Sequence, residues 1–177
     1  MHRKRTAADA NLLSVDRPKR SNRRGAHLAP NIEEQARFRA AINNVEVVSY
    51  AFSKLHSPPG SLEMRFWPSE TDEVEDRVPL PTAADQARYK EWIVSMAQRI
   101  HEAVDGVKRS SPLRVNCEMG QARSPSCILA WLRLYHGLQK EHLHWALEAL
   151  QTHNEAAGHK QSMRGSLERF QGLLECL

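Results

Sequence analysis

Leu113-Arg114-Val115-Asn116-Cys117-Glu118-Met119-Gly120-Gln121-Ala122-Arg123-Ser124-Pro125 is the stretch on which the reading of this chain turns. Leu113 to Asn116 reads as a short buried strand and Cys117 to Arg123 as a loop. The apolar run Ile128, Leu129, Trp131, Leu132 and Tyr135 calls for a helix behind it. A loop that ends at a helix N-terminus presents unpaired backbone N–H groups at the positive end of the helix dipole, which together favour an anion such as phosphate. Gly120 allows the backbone turn that such a loop requires.

The side chains of the loop fit the same chemistry. The positive potential favours the thiolate of a cysteine at position 117, and the thiolate is the nucleophilic form. Arg123, six positions on, offers a planar fork of donors that binds two phosphate oxygens together, a geometry that lysine lacks. Ser124 has two readings, a hydroxyl that hydrogen-bonds the Cys117 sulfur or an ordinary helix cap. The expected phosphate cradle runs over Glu118, Met119, Gly120, Gln121, Ala122 and Arg123.

Working outward towards the N-terminus, Thr82 is placed to cap a long helix striped by Tyr89, Ile93, Met96, Ile100 and Val104, ending before Lys108-Arg109-Ser110-Ser111-Pro112. Before it, Glu70 to Asp76 is a carboxylate-rich stretch without apolar period, an exposed loop that Pro79 and Pro81 extend. Val45 to Ala51 and Ser61 to Trp67 are β-prone and are separated by Ser57-Pro58-Pro59-Gly60. A helix from Asn31 to about Ile42 precedes them, with Asn31 as cap and Glu33 and Glu34 in its first turn. Beyond the loop, Leu143, Ala146, Leu147 and Leu150 mark one further helix, and Leu167, Phe170, Leu174 and Leu177 mark another. This order predicts an α/β fold, a central, mostly parallel sheet flanked by helices in a single domain.

At 177 residues with 41% hydrophobic and 26% charged residues, the chain suits one globular domain. Residues 1 to 24 hold eight Lys/Arg against Asp9 and Asp16, so the rest of the chain carries −2 of the overall +4. We therefore divide the chain into a basic, flexible segment, 1–25, and a catalytic-sized domain, 26–177. Lys4-Arg5 followed by Arg17-Pro18-Lys19-Arg20 fits either a two-part nuclear import signal or a solvated basic tail. A nucleic-acid-binding face is not expected of the folded domain, and no run of about 20 apolar residues predicts a membrane span. Cys117, Cys127 and Cys176 cannot all pair within the chain and lack zinc-site spacing, which points to free thiols and an intracellular setting, cytoplasmic or nuclear. Neither a metal nor another cofactor is expected: His136, His142, His144, His153 and His159 show no ligand spacing backed by carboxylates.

Cys117-x-x-Gly120-x-x-Arg123-Ser124-Pro125, between strand and helix, resembles the signature of the dual-specificity protein phosphatases within the protein tyrosine phosphatase superfamily. The strand Ser61 to Trp67, the acidic loop, the long helix, the Ala130-Trp131-Leu132 helix and the closing Ser166 to Phe170 helix resemble that domain in order. The resemblance implies a monomeric phosphatase, an atypical small member, that hydrolyses phosphotyrosine, phosphoserine or phosphothreonine in proteins through a phosphocysteine, with Cys117 as nucleophile. It also implies a general-acid aspartate on the loop between strand and helix, for which Asp72 is preferred, Asp76 is the alternative and Asp85 is better suited to the helix's first turn. Asn116 departs from the histidine that usually precedes the nucleophile. Lipid phosphatases of the superfamily line the loop with lysines, whereas Glu118, Met119, Gln121 and Ala122 stand here, which favours phosphoproteins. Two other classes remain: a phospho-binding module without turnover, and a phosphatase of RNA 5′ ends.

Overall fold

Asn31 begins the first helix by a reciprocal pair of bonds. Its side chain accepts from the Glu34 N–H at 2.9 Å, and the Glu34 carboxylate accepts from the Asn31 N–H at 3.1 Å. Two helix-end donors are thus satisfied by the chain itself. The computed structural model describes residues 28–49, 62–63, 83–105, 111–117 and 119–177. The basic segment, the acidic loop, Thr82 and most of the expected second strand lie outside the described residues.

Helix α1 (Ile32–Ile42) buries Phe38, Ala41 and Ile42, three or four positions apart, and leads directly into strand β1 (Val45–Ser49). Strand β2 (Leu62–Glu63) follows, then helix α2 (Ala83–Asp105) and strand β3 (Leu113–Cys117). The sheet order is β1-β3-β2, and both pairings are parallel. Parallel neighbours cannot be joined by a hairpin, so α2 serves as the crossover that returns the chain to the start of β3. The fold is thus mixed helix and strand, a small parallel sheet flanked by helices, as the sequence predicted.

Helix α3 (Arg123–His136) leaves the end of β3, and α4 (Leu143–Ala156) and α5 (Gly165–Glu175) complete the fold after a 3₁₀ turn at Lys140–His142. Every residue of α3 from Ser124 to Leu132 is buried, because α1, α2, α4 and α5 all pack on it. A helix enclosed in this way tolerates no charged side chain along that stretch, and the sequence supplies none. Tyr135, expected within the apolar run, is instead 39% exposed, since α3 leaves the core in its last turn. In α2 the fully buried side chains are Ile93, Ala97 and Ile100, with Tyr89, Met96 and Val104 packed around them. One hydrophobic cluster joins all five helices with β1 and β3.

The outer edge of β1 is closed by a side chain from α4. Asn154, fully buried, accepts from the Val47 N–H and donates to the Val47 carbonyl, both at 2.8 Å. A side-chain amide thereby satisfies two strand groups that burial would otherwise leave unpaired.

Candidate active site

The parallel register sets Ser49 beside Cys117 and brings both to the C-terminal end of the sheet, where loops in open α/β folds gather ligands. Cys117 is the last residue of β3, only 2% exposed, and Asn116 before it is equally buried. The chain then turns through Gly120, whose φ of +66° lies in the left-handed region that side chains disfavour. A Cβ on Gly120 would also meet the Gln161 side chain at 3.0 Å. Gln161 is fixed there by donating to the Val47 carbonyl at 2.9 Å, while its own carbonyl accepts from Gln151 at 3.0 Å. The glycine of the loop is therefore favoured by its torsion, and any larger residue would also oblige the Gln161 amide to shift.

Helix α3 starts without the devices seen in α1. Its N-cap, Ala122, has no capping group, and its first turn contains no acidic residue. Pro125 fits that turn because the first N–H groups of a helix have no intrahelical acceptor in any case. The start of α3 thus has no side-chain cap from Ala122 and no acidic residue of its own first turn set against its positive dipole end.

A cavity of about 290 Å³ opens at this point. Cys117, Met119, Gln121, Ala122 and Arg123 line one side of it, and Ser162, Arg164, Gly165, Glu168 and Arg169 line the other. Nucleophile and arginine, read from sequence as the core of the site, therefore share one cavity. The other expected residues fall differently. Ser124 is fully buried, and its hydroxyl has no hydrogen-bond partner among the described residues, so neither the bond to the Cys117 sulfur nor the cap role is formed. The cap position belongs to Ala122, which puts Ser124 inside the first turn. Glu118, Asp72 and Asp76 lie outside the described residues, and Asp85 belongs to the first turn of α2.

Cys127 sits one helical turn beyond Arg123, fully buried and free. Burial pushes its thiol well up, the neighbouring Cys117 adds to the rise, and Arg123 opposes it. Cys127 therefore remains a neutral thiol within the core. No group of three or more His, Cys, Asp or Glu side chains among the described residues is arranged to hold a metal ion. No helix among the described residues is long and apolar enough to cross a membrane.

The second wall of the cavity is what sequence reasoning missed. Met163 and Ser166 anchor it from behind: Met163 N–H donates to the Gln151 side chain at 2.9 Å, and the Ser166 hydroxyl donates to the Met163 carbonyl at 2.7 Å. Gly165 lies against the loop closely enough that a Cβ there would touch the Gln121 carbonyl at 3.4 Å. The turn signals Ser162 and Gly165 were visible in the sequence, but nothing local shows that this turn faces Cys117. Comparison with protein-family models, with curated proteins and with solved structures finds no match to the chain.

Proposed function

We propose that the chain is a cysteine-dependent phosphoric monoester hydrolase of the dual-specificity protein phosphatase type, acting on phosphorylated proteins and built as a single domain of that kind. One observation carries the reading: Cys117, at the end of β3, and Arg123, at the start of the uncapped α3, line the same cavity. The three free cysteines suit a reducing, intracellular setting.

The chemistry follows from that arrangement. Phosphate enters against the N–H groups of the loop and of α3, and the Arg123 guanidinium binds two of its oxygens. The Cys117 thiolate attacks phosphorus, and the bond to the ester oxygen breaks as the S–P bond forms. The leaving oxygen takes a proton from an aspartate, Asp72 in first place and Asp76 in second. Water then attacks the phosphocysteine, returning its proton to that aspartate, and inorganic phosphate leaves as the thiolate is restored. Charge on the transferring group is met by fixed donors, which need no reorganisation during the reaction.

Hydrolysis of an aryl phosphate by the purified protein tests the reading. Wild type is expected to turn over, Cys117→Ser to be inactive and Arg123→Ala to lose about a thousandfold in kcat. For substrates with poor leaving groups, Asp72→Ala is expected to lower kcat more than Asp76→Ala, and much more than Asp85→Ala. Equal activity in wild type and Cys117→Ser would end the proposal. Phosphopeptide binding without any hydrolysis would replace it with a binding module.

A further inference from the structure

Backbone N–H groups bind phosphate well only if they are aimed at it before it arrives, so the loop around Gly120 needs something to hold its shape. The start of α3 supplies no side-chain cap, and Gly120, the residue with the widest backbone freedom, forms the turn with φ +66°. Gln161 lies on that glycine. Its Nε2 and Cγ atoms stand 3.0 and 3.2 Å from where a Cβ on residue 120 would be. Gly120 is buried, and neither it nor Gln161 lines the cavity, so the contact bears on the loop from outside the phosphate position.

Gln161 is itself tied to the sheet that carries the nucleophile. Its side-chain amide donates to the Val47 carbonyl of β1 at 2.9 Å, and β1 pairs in parallel with β3. Its main-chain carbonyl accepts from the Gln151 side chain at 3.0 Å, and the same Gln151 amide group accepts from the Met163 N–H at 2.9 Å. One side chain of α4 thus clips the chain on both sides of Ser162. We propose that Gln161, anchored on Val47 and Gln151, is a positioning residue of the site: it holds the turn at Gly120, and with it the N–H groups of the loop, in the arrangement that phosphate requires. The inference rests on the phosphatase reading of the cavity. The bonds themselves disfavour a merely structural role, because the Val47 carbonyl also accepts from Asn154 at 2.8 Å and stays paired without Gln161. What goes with the Gln161 side chain is the contact on Gly120.

The experiment measures kcat/KM on an aryl phosphate and, by calorimetry, the affinity for inorganic phosphate. Gln161→Ala is expected to lower both by about tenfold or more, since a small misplacement of binding groups suffices for losses of that order. Its melting temperature should fall by no more than about 2–4 °C, the share of one hydrogen bond in a chain of this size. Gly120→Ala tests the route of the effect. An added Cβ strains the torsion and presses on Gln161, so this variant should also lose activity. In its background Gln161→Ala should cost little more, because the contact through which Gln161 acts is already broken. Gln171→Ala removes a glutamine amide bonded to Glu175 at 2.8 Å elsewhere on α5 and should match wild type. Gln161→Met keeps the length of the side chain but gives up its anchor, and is expected to fall between wild type and Gln161→Ala. It carries the test if Gln161→Ala does not fold, and the single Gln161 variants carry it if Gly120→Ala does not.

Wild-type kcat/KM and phosphate affinity in a folded Gln161→Ala overturn the inference, whether or not its melting temperature falls, since a fall in stability alone is the pattern of a merely structural side chain. A further loss of about tenfold on adding Gln161→Ala to Gly120→Ala overturns it too, because the two residues would then act independently. If wild type hydrolyses no aryl phosphate, the enzymatic reading has failed separately. The positioning role is then judged by the affinity for inorganic phosphate, where equal values for wild type and Gln161→Ala, or binding to neither, reject it.

Discussion

Helices α1 and α3 begin in opposite ways. At α1 the chain answers its own helix end: Asn31 and Glu34 exchange two hydrogen bonds, and Glu33 and Glu34 place negative charge against the dipole. At α3 there is no capping side chain at Ala122 and no acidic residue in the first turn, although this helix is the most deeply buried in the fold. An uncapped start is a cost of about 1 kcal/mol relative to a good cap. Retaining that cost next to a buried cysteine and an arginine is what an anion-binding function requires, and what mere stability disfavours.

The sharpest way to break the contrast is to place a carboxylate at the start of α3. Ala122 lines the cavity, so the carboxylate of Ala122→Asp is directed at the donors that phosphate needs. Like charges in direct apposition cost several kcal/mol, so kcat/KM on an aryl phosphate should fall by a hundredfold or more. Stability should fall by about 1–3 kcal/mol, because Ala122 is buried and its backbone, at φ −128° and ψ −64°, is not the extended one from which a side chain caps. Retention of activity in a folded Ala122→Asp protein would mean that the start of α3 is not where the anion binds.

The converse substitution acts on α1. Asn31→Ala removes the side-chain half of the capping box, and about 1 kcal/mol of stability should go with it. For a chain of this size that lowers the melting temperature by about 2–4 °C. Turnover should not change, since Asn31 is not among the residues lining the cavity. A melting temperature equal to wild type would show that the first turn of α1 is held by packing instead.

Both helix starts were legible because their signals are local. Asn31 with its following glutamates, and Cys117 to Pro125 between a strand and an apolar run, each declare themselves within a few residues. Ala97 was not legible: it is fully buried at the centre of the α2 face, but its small side chain adds little to a hydrophobic stripe. Asn154 was hidden for a different reason. A polar residue in a helix reads as surface, and its bonds to Val47 exist only once α4 lies along β1. Gln161, Arg164 and Arg169 share that difficulty, because their relation to Gly120 and Arg123 is created by the packing of α5 on α3. The side of the cavity formed by Cys117 to Arg123 could be read as a motif, whereas the opposite side depends on tertiary arrangement.

The far end of α3 offers the smallest and most discriminating comparison. A helix C-terminus favours a positive charge, so the dipole alone would raise the pKa of His136. Instead its pKa lies below the ordinary 6.5, first because of burial, then through His101 and, more weakly, Arg37, with Asp105 acting the other way. The ring is set edge-on to Trp131 at 4.5 Å between centroids, and on α2 His101 stacks on Tyr135 at 4.0 Å and lies 3.2 Å from Asp105. Above about pH 6.5 His136 is neutral in both folded and unfolded chains and has no effect on stability. As pH falls below that value, the unfolded chain takes up a proton that the folded one still refuses, so stability declines until the folded-state pKa is passed. Urea midpoints measured between pH 7.5 and 5 should therefore fall towards acid by more in wild type than in His136→Phe, which keeps the ring packing and removes the titration. If the two proteins lose stability in parallel, the dipole of α3 balances the burial of His136, and if wild type loses less than His136→Phe, the dipole outweighs it.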